Sequence, residues 1–366
     1  MSTRTILLNP GPVTLSTRVR EAMLGPDLCH REPEFAALQS GIRDRLLAVY
    51  GLPASDWASI LLTGSGTAAV EAMITSLVPD DGRLLVVENG VYGERVSNIA
   101  RRHRIACTPV AHDWLAAPDL ERIEAVLKAD GPFTHVAVVH HETTSGRLNA
   151  LAPLAALCKR YGARLLLDAV SSFGAEPIEP EAWNIDAMAA TANKCLHAVP
   201  GTCFVVTRRE ALAKGVTVPR SVYLDLATYL RNQDARGTPF TQSVQTFYAL
   251  SAALDELAEQ GGREARAKIY RGRMAQVRQT LEGLGIRPLL PEGESSCVLN
   301  GFHLPAGLAY EPLHDGLKTR GFIIYAGQSA LAQQIFRIST MGDISPADMD
   351  RLCAALREVI APHTQG

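Results

Sequence analysis

The sequence predicts an α/β protein in which a large domain carries a mostly parallel seven-stranded sheet and a smaller α+β domain follows at the C-terminal end. Three observations lead there. Between Ser59 and Glu210, apolar strand-like runs alternate with helical text, the pattern of strands joined by right-handed crossovers. A glycine pair, Gly261-Gly262, breaks a long helical stretch and marks a hinge. With 366 residues, 47% of them hydrophobic, and a formal net charge of −2, the chain is long enough to bury a core in each of two domains.

The N-terminal text runs from Met1 straight into a Pro/Gly turn at Asn9-Pro-Gly-Pro, without the apolar core of a signal peptide, so a cytoplasmic location is expected. Strands are expected at Ile60–Leu62, Leu84–Val87, Ile105–Val110, Thr134–Val139, Arg164–Leu167, Ala187–Ala190 and Thr202–Val206, because short unbroken apolar runs are the mark of strands buried on both faces. A helix over Phe240–Gln260 precedes the hinge and another runs from about Arg263 to Leu284. Beyond lie strand-like segments at Val298–Leu304, Gly321–Tyr325 and Gln334–Ser339, then a closing helix over Pro346–Ile360. No internal repeat or low-complexity tract is evident.

Several function classes are disfavoured by composition. The near-neutral charge, without a basic block, does not suit nucleic acid or an anionic membrane as a partner. No apolar run reaches the roughly 18 residues that span a bilayer. The seven cysteines (Cys29, Cys107, Cys158, Cys195, Cys203, Cys297, Cys353) are odd in number and lack C-x-x-C spacing, which argues against a disulfide framework and against zinc. His140-His141 ends an expected strand, where neighbours face opposite sides, so no metal is expected there.

Lys194 carries the chemistry. It follows the small and apolar run Ile185-Asp-Ala-Met-Ala-Ala-Thr-Ala-Asn, whereas Lys128, Lys159, Lys214, Lys268 and Lys318 sit in charged or Gly-adjacent text as surface amines. Burial disfavours the ammonium form and frees the nitrogen to attack a carbonyl; the alternative is a snorkelling or ion-paired structural lysine. Asp168 ends the strand beginning at Arg164, and the C-terminal ends of strands are where α/β sheets present chemistry. Ser59-Ile-Leu-Leu-Thr-Gly-Ser-Gly-Thr reads as strand, then turn, then a helix beginning near Ala68, whose free N–H groups and dipole attract an anion. Lysine, carboxylate and anion cradle form the set that pyridoxal 5'-phosphate requires. The same glycines, with Glu88 after the next strand, also fit a dinucleotide fingerprint, but that reading leaves Asp168 and Lys194 without a task. Cys195 is next to Lys194, and neighbours on a strand point to opposite faces, so it is not expected to be the nucleophile. One of His140 and His141 is expected to face the cofactor.

Taken together, Leu7-Leu-Asn-Pro-Gly-Pro, Leu28-Cys-His-Arg-Glu-Pro-Glu-Phe, Gly64-Ser-Gly-Thr, Asp168-Ala-Val-Ser-Ser-Phe-Gly, Asn193-Lys-Cys, Gly321-Phe-Ile-Ile-Tyr-Ala-Gly and Phe336-Arg-Ile-Ser resemble the 2-aminoethylphosphonate:pyruvate aminotransferases, class V aminotransferases of the fold-type I pyridoxal-phosphate enzymes. The resemblance runs from about residue 6 to residue 355. It implies that Lys194 forms the imine with the cofactor and then moves the substrate proton. Asp168 would pair with the pyridine nitrogen, Ser65, Gly66 and Thr67 would hold the phosphate, and Tyr92 would stack on the ring. Thr143 would lie near the cofactor hydroxyl. Thr241 would reach the phosphate of a neighbouring subunit, making the site a property of a homodimer. Arg337 would receive the acid group of the substrate, with Arg31 as a second anion-binding candidate. The proline expected just after Thr241 is replaced here by Gln242. The expected division is an N-terminal arm over residues 1–15 packing with the small domain, a large cofactor-binding domain over 16–262 and a small domain over 263–366.

Three rival functions remain at this point. An alanine- or serine-glyoxylate aminotransferase would use the same cofactor chemistry. A desulfurase of the same fold would need a mobile cysteine in a Gly/Ser-rich loop, which the sequence lacks. A regulatory cofactor-binding protein would need a DNA-binding appendage, for which no segment is spare.

Overall fold

The computed structural model describes residues 4–213, 219–305 and 307–363; Lys214, expected as a surface amine, lies outside them. The chain opens with β1 (Ile6–Leu7), α1 (Thr17–Ala22) and α2 (Pro33–Ala48), and then alternates. β2 (Trp57–Gly64), α3 (Gly66–Leu77), β3 (Arg83–Glu88), α4 (Val91–Arg102), β4 (Ala106–Ala111), α5 (Leu120–Asp130) and β5 (His135–Val139) follow in turn. A small hairpin, β6 (His141–Glu142) and β7 (Arg147–Leu148), leads to α6 (Leu151–Arg160), β8 (Arg164–Asp168), β9 (Ile185–Thr191) and β10 (Gly201–Arg208). The remainder is α7 (Leu226–Asp234), α8 (Val244–Glu259), α9 (Gly262–Glu282), β11 (Leu299–His303), α10 (Tyr310–Lys318), β12 (Phe322–Ile323), β13 (Tyr325–Ala326), β14 (Ile335–Ser339) and α11 (Pro346–Ile360).

The expected large sheet is present, with seven strands in the order β2-β10-β9-β8-β5-β3-β4. Only β10 runs against its neighbours, antiparallel to both β2 and β9, so the sheet is mostly parallel. Alternation explains its burial on both faces. Leu61, Leu85, Val87, Leu165, Leu167 and Phe204 enter one core, and Ile60, Leu62, Leu84, Val86, Leu166 and Val205 the other. Helices α2, α6 and α8 cover the first face, whereas α3, α4 and α7 cover the second. A strand buried on both sides cannot show polar alternation, which is why unbroken apolar runs revealed these strands.

The C-terminal part mixes strands and helices as expected, with the antiparallel sheet β11-β14-β13 packed beside α9, α10 and α11. Helix α11 begins where the sequence places it: Ser345 Oγ accepts from Asp348 N at 3.1 Å, Asp348 Oδ2 accepts from Ser345 N at 3.0 Å, and Pro346 fills the first turn.

Three local expectations are corrected. The single strand expected at Gly321–Tyr325 is two short ones on different sheets: Phe322–Ile323 pairs in parallel with β1, and Tyr325–Ala326 pairs with β14. The helix expected from Phe240 starts at Val244, because the preceding turn is tied elsewhere; Ser243 N donates to Thr63 Oγ1 at 3.0 Å and Gln242 Nε2 to Thr238 Oγ1 at 3.0 Å. The helix expected near Ala68 begins at Gly66 with Ser65 as its N-cap, so Gly66 and Thr67 are its first residues.

Candidate active site

The C-terminal end of the central strands opens into a cavity of about 410 Å³ lined by, among others, Ser65, Gly66, Thr67, Tyr92, Arg95, Asp168 and Lys194. They come from four places: the start of α3, the first turns of α4, the end of β8 and the turn after β9. Ser65 to Thr67 form the first turn of α3, where Ser65 makes no side-chain capping bond and the leading N–H groups are left for an anion. Gly66 cannot carry a side chain here: a Cβ would stand 2.8 Å from Val170 Cγ1, two residues past Asp168.

Asp168 ends β8 and is 7% exposed. One oxygen accepts from Val170 N at 3.0 Å. Burial pushes the carboxyl up to about 6, while that hydrogen bond, Arg95 and Lys194 pull the other way. Lys194 is half-buried, and burial is the main reason its ammonium is held down to about 8; Asp168 opposes the shift, and Arg337 and Arg95 add to it. Each group is therefore displaced toward its neutral form, as buried charges are.

Lys194 sits in a turn after β9 rather than on a strand, which corrects the argument about Cys195. That turn is fixed by His197 N donating to Lys194 O at 2.9 Å and by the buried Arg266, whose Nη1 donates to Cys195 O at 2.8 Å. Cys195 points into the core, 3.5 Å from Ser171 O, and burial pushes its thiol up to about 12. Above Lys194 lies the N-terminal loop: Lys194 Nζ donates to Pro10 O, and a Cβ on Gly11, whose φ is +118°, would stand 2.6 Å from Lys194 Cδ. Only glycine accommodates both that backbone and that approach.

Tyr92 lies on the first turn of α4, and the Arg95 guanidinium sits 4.6 Å from its ring centroid. Arg95 Nη1 also donates to Thr67 Oγ1 at 3.1 Å, joining the aromatic wall to the start of α3. The sequence reading missed Arg95; its spacing of three residues from Tyr92 on one helix was the available signal. It also missed Asn193, whose Oδ1 accepts from Thr191 Oγ1 at 2.8 Å at the cavity edge.

The other expected residues lie outside the residues lining this cavity. Arg337, on β14, is 3% exposed; its Nε donates to Ala326 O at 2.9 Å and its Nη1 to Thr143 O at 2.7 Å and Gln328 Oε1 at 3.1 Å. It still acts on Lys194 electrostatically. Thr143 supplies that carbonyl, and its buried hydroxyl has no hydrogen-bond partner among the described residues. Thr241 is exposed in the turn before α8, and Arg31 is exposed in the turn before α2. The two histidines diverge: His140 meets Trp183 edge-on at 6.1 Å, while His141 Nδ1 lies 3.1 Å from Ser171 O. Burial lowers them to about 3 and about 4, so both are neutral, and neither lines the cavity.

Comparison with known proteins accords with this geometry. Residues 28–352 match the family described as Aminotransferase class-V. The chain is 38% identical over 356 residues to the 2-aminoethylphosphonate--pyruvate transaminase of Klebsiella pneumoniae, covering 96% of each protein. It is 39% identical over 362 residues to the Vibrio cholerae protein of that name, covering 97% of each. Among solved structures, the aspartate aminotransferase of Thermus thermophilus superposes with a TM-score of 0.89 at 28% identity, over 98% of this chain and 99% of that one. The alanine--glyoxylate aminotransferase of Nostoc sp. gives 0.89 at 25% identity, over 98% of this chain and 96% of that one. The fold is thus the fold-type I architecture that the motifs implied, and the chain belongs to the class V aminotransferase family.

Proposed function

We propose that this protein is a pyridoxal-phosphate-dependent aminotransferase that moves the amino group of 2-aminoethylphosphonate to pyruvate, giving phosphonoacetaldehyde and L-alanine. The observation that carries the chemistry is the pairing, in one cavity, of a lysine held near neutrality with a buried carboxylate, above the open N-terminus of α3. The choice of substrates rests on the names of the relatives at 36–39% identity.

The residues fit the cofactor. The first turn of α3 offers N–H donors to a phosphate, and a cation placed against Asp168 would restore the ionised carboxylate that burial disfavours. When bound, the cofactor supplies an electron sink for the carbanion formed at the amino-bearing carbon. Lys194 Nζ, with a pKa of about 8, would take the proton from that carbon and pass it to the cofactor, and would carry a proton the other way, to the carbonyl carbon of pyruvate, in the second half-reaction, because a base near ambient pH is the efficient one. Tyr92 gives the ring a flat wall that excludes water on one side. Arg337, whose Nε and Nη1 already donate to Ala326 O, Thr143 O and Gln328 Oε1, is assigned to the phosphonate or the carboxylate through the remaining donors of its planar fork. Arg31 and Thr241, both exposed in the single chain, are assigned to a homodimer in which a neighbouring subunit completes the site. A cytoplasmic location is part of the same reading.

The test is a screen of amino donors against pyruvate and glyoxylate, with L-alanine formation followed directly. Turnover of 2-aminoethylphosphonate with pyruvate supports the proposal; alanine–glyoxylate exchange without phosphonate turnover replaces it with the rival of the same family. Lys194→Ala should lose the borohydride-reducible chromophore and nearly all turnover.

A further inference from the structure

We propose that Glu142 is a positioning residue of this site: its carboxylate, which lies behind the cavity wall, sets the places of Tyr92 and Arg337. This rests on the aminotransferase reading above. Glu142 is fully buried at the end of the short strand β6 and stands against the first turn of α4. Its Oε2 accepts from Tyr92 N at 3.2 Å and Gly93 N at 3.4 Å. Its Oε1 accepts from Thr144 N at 3.1 Å and Thr144 Oγ1 at 2.6 Å, and that hydroxyl in turn accepts from Val91 N at 3.1 Å. The leading N–H groups of α4, the helix that carries Tyr92 and Arg95, are thus held by one loop and not by the helix's own N-cap, Gly90, which has no capping side chain.

The fit is close. A Cβ on Gly90 would lie 2.3 Å from Glu142 Cδ, so the chain keeps a glycine where the carboxylate must pass. Thr143, between Glu142 and Thr144, gives its carbonyl to Arg337 Nη1. One loop therefore joins the aromatic wall contributed by α4 to the guanidinium contributed by β14, and a shift of the carboxylate would move both. Each carboxylate oxygen faces a backbone N–H, so glutamine, though of the same shape, must turn its NH₂ toward a donor on one side or the other. Burial raises the carboxyl to about 7, with Thr144 and Gly93 opposing, so the comparison belongs at pH 8.5, where it is ionised.

The experiment compares holoenzyme of the wild type, Glu142→Gln and Thr144→Val. It measures amide hydrogen exchange over residues 91–93, the visible circular dichroism of the bound chromophore per cofactor, and kcat and KM for 2-aminoethylphosphonate. The expected result for Glu142→Gln is faster exchange, weaker dichroism per bound cofactor and a kcat/KM lower by about 10- to 100-fold, the scale of misplacing reacting groups by an ångström or less. Thr144→Val should move the same readouts in the same direction by less, and it decides the matter if Glu142→Gln fails to fold. A folded Glu142→Gln enzyme with wild-type dichroism and wild-type kcat/KM, differing only in thermal stability, overturns the proposal by reducing Glu142 to a structural cap. Should the wild type bind cofactor but ignore the phosphonate, the functional reading fails alone, and exchange and dichroism still judge Glu142.

Discussion

Lys194 is a surface residue in no useful sense, yet it is not sealed either, and that intermediate setting makes its titration measurable. Because burial lowers its pKa to about 8, the neutral amine gains population as pH rises through that value and not through the ordinary 10.5. Borohydride trapping of added pyridoxal phosphate should therefore climb between about pH 7 and 9 and then level off; a climb that begins only above pH 10 would contradict the assigned environment. Gly11→Ala tests the loop above it: with no room before Lys194 Cδ, the variant should lose most activity while retaining the far-ultraviolet spectrum of the wild type. At this scale the sequence disclosed what is encoded locally. Lys194, Asp168 and Ser65 to Thr67 stand beside their own strands and turns, so pattern and chemistry coincide in a few letters. The seat of Arg337 was illegible because its partner Thr143 lies 194 residues away, and no periodicity connects a guanidinium to a distant carbonyl.

The strand ends and helix starts that deliver these groups make their own demands. Gly66→Ala would press a methyl on Val170 and push the first turn of α3 away from Asp168, so cofactor affinity should fall by about tenfold or more in a fluorescence titration of the apoprotein. Leu8, fully buried beyond β1, anchors the N-terminal segment through Leu8 N to Ile323 O at 2.8 Å and Ser339 N to Leu8 O at 2.7 Å. Leu8→Ala should cost about 2–5 kcal/mol in thermal or denaturant unfolding, as large-to-small core changes do. The long apolar strands were readable because strands covered on both faces have no polar letters to hide them. A strand at Phe322–Ile323 was read within the longer run Gly321–Tyr325, but its pairing with Ile6–Leu7 was not, since the sequence between them carries no trace of it.

For the whole molecule, the exposed positions of Thr241 and Arg31 bear on the proposed homodimer. Sedimentation equilibrium of the holoprotein should give twice the chain mass, and Thr241→Ala should weaken cofactor retention without altering that mass. A monomer that is fully active would remove the subunit-sharing part of the proposal. The break in the helical text at Gly261-Gly262 was legible, and there positive φ angles of 92° and 78° let the chain turn between α8 and α9. What joins the parts was not legible, because it depends on the chain's beginning meeting its last third. That meeting has a consequence for biosynthesis. Since Ile6 and Leu7 pair with Phe322 and Ile323, the N-terminal loop that covers Lys194 can take its seat only once the last third of the chain has been made, so the reactive amine stays open on that side during synthesis.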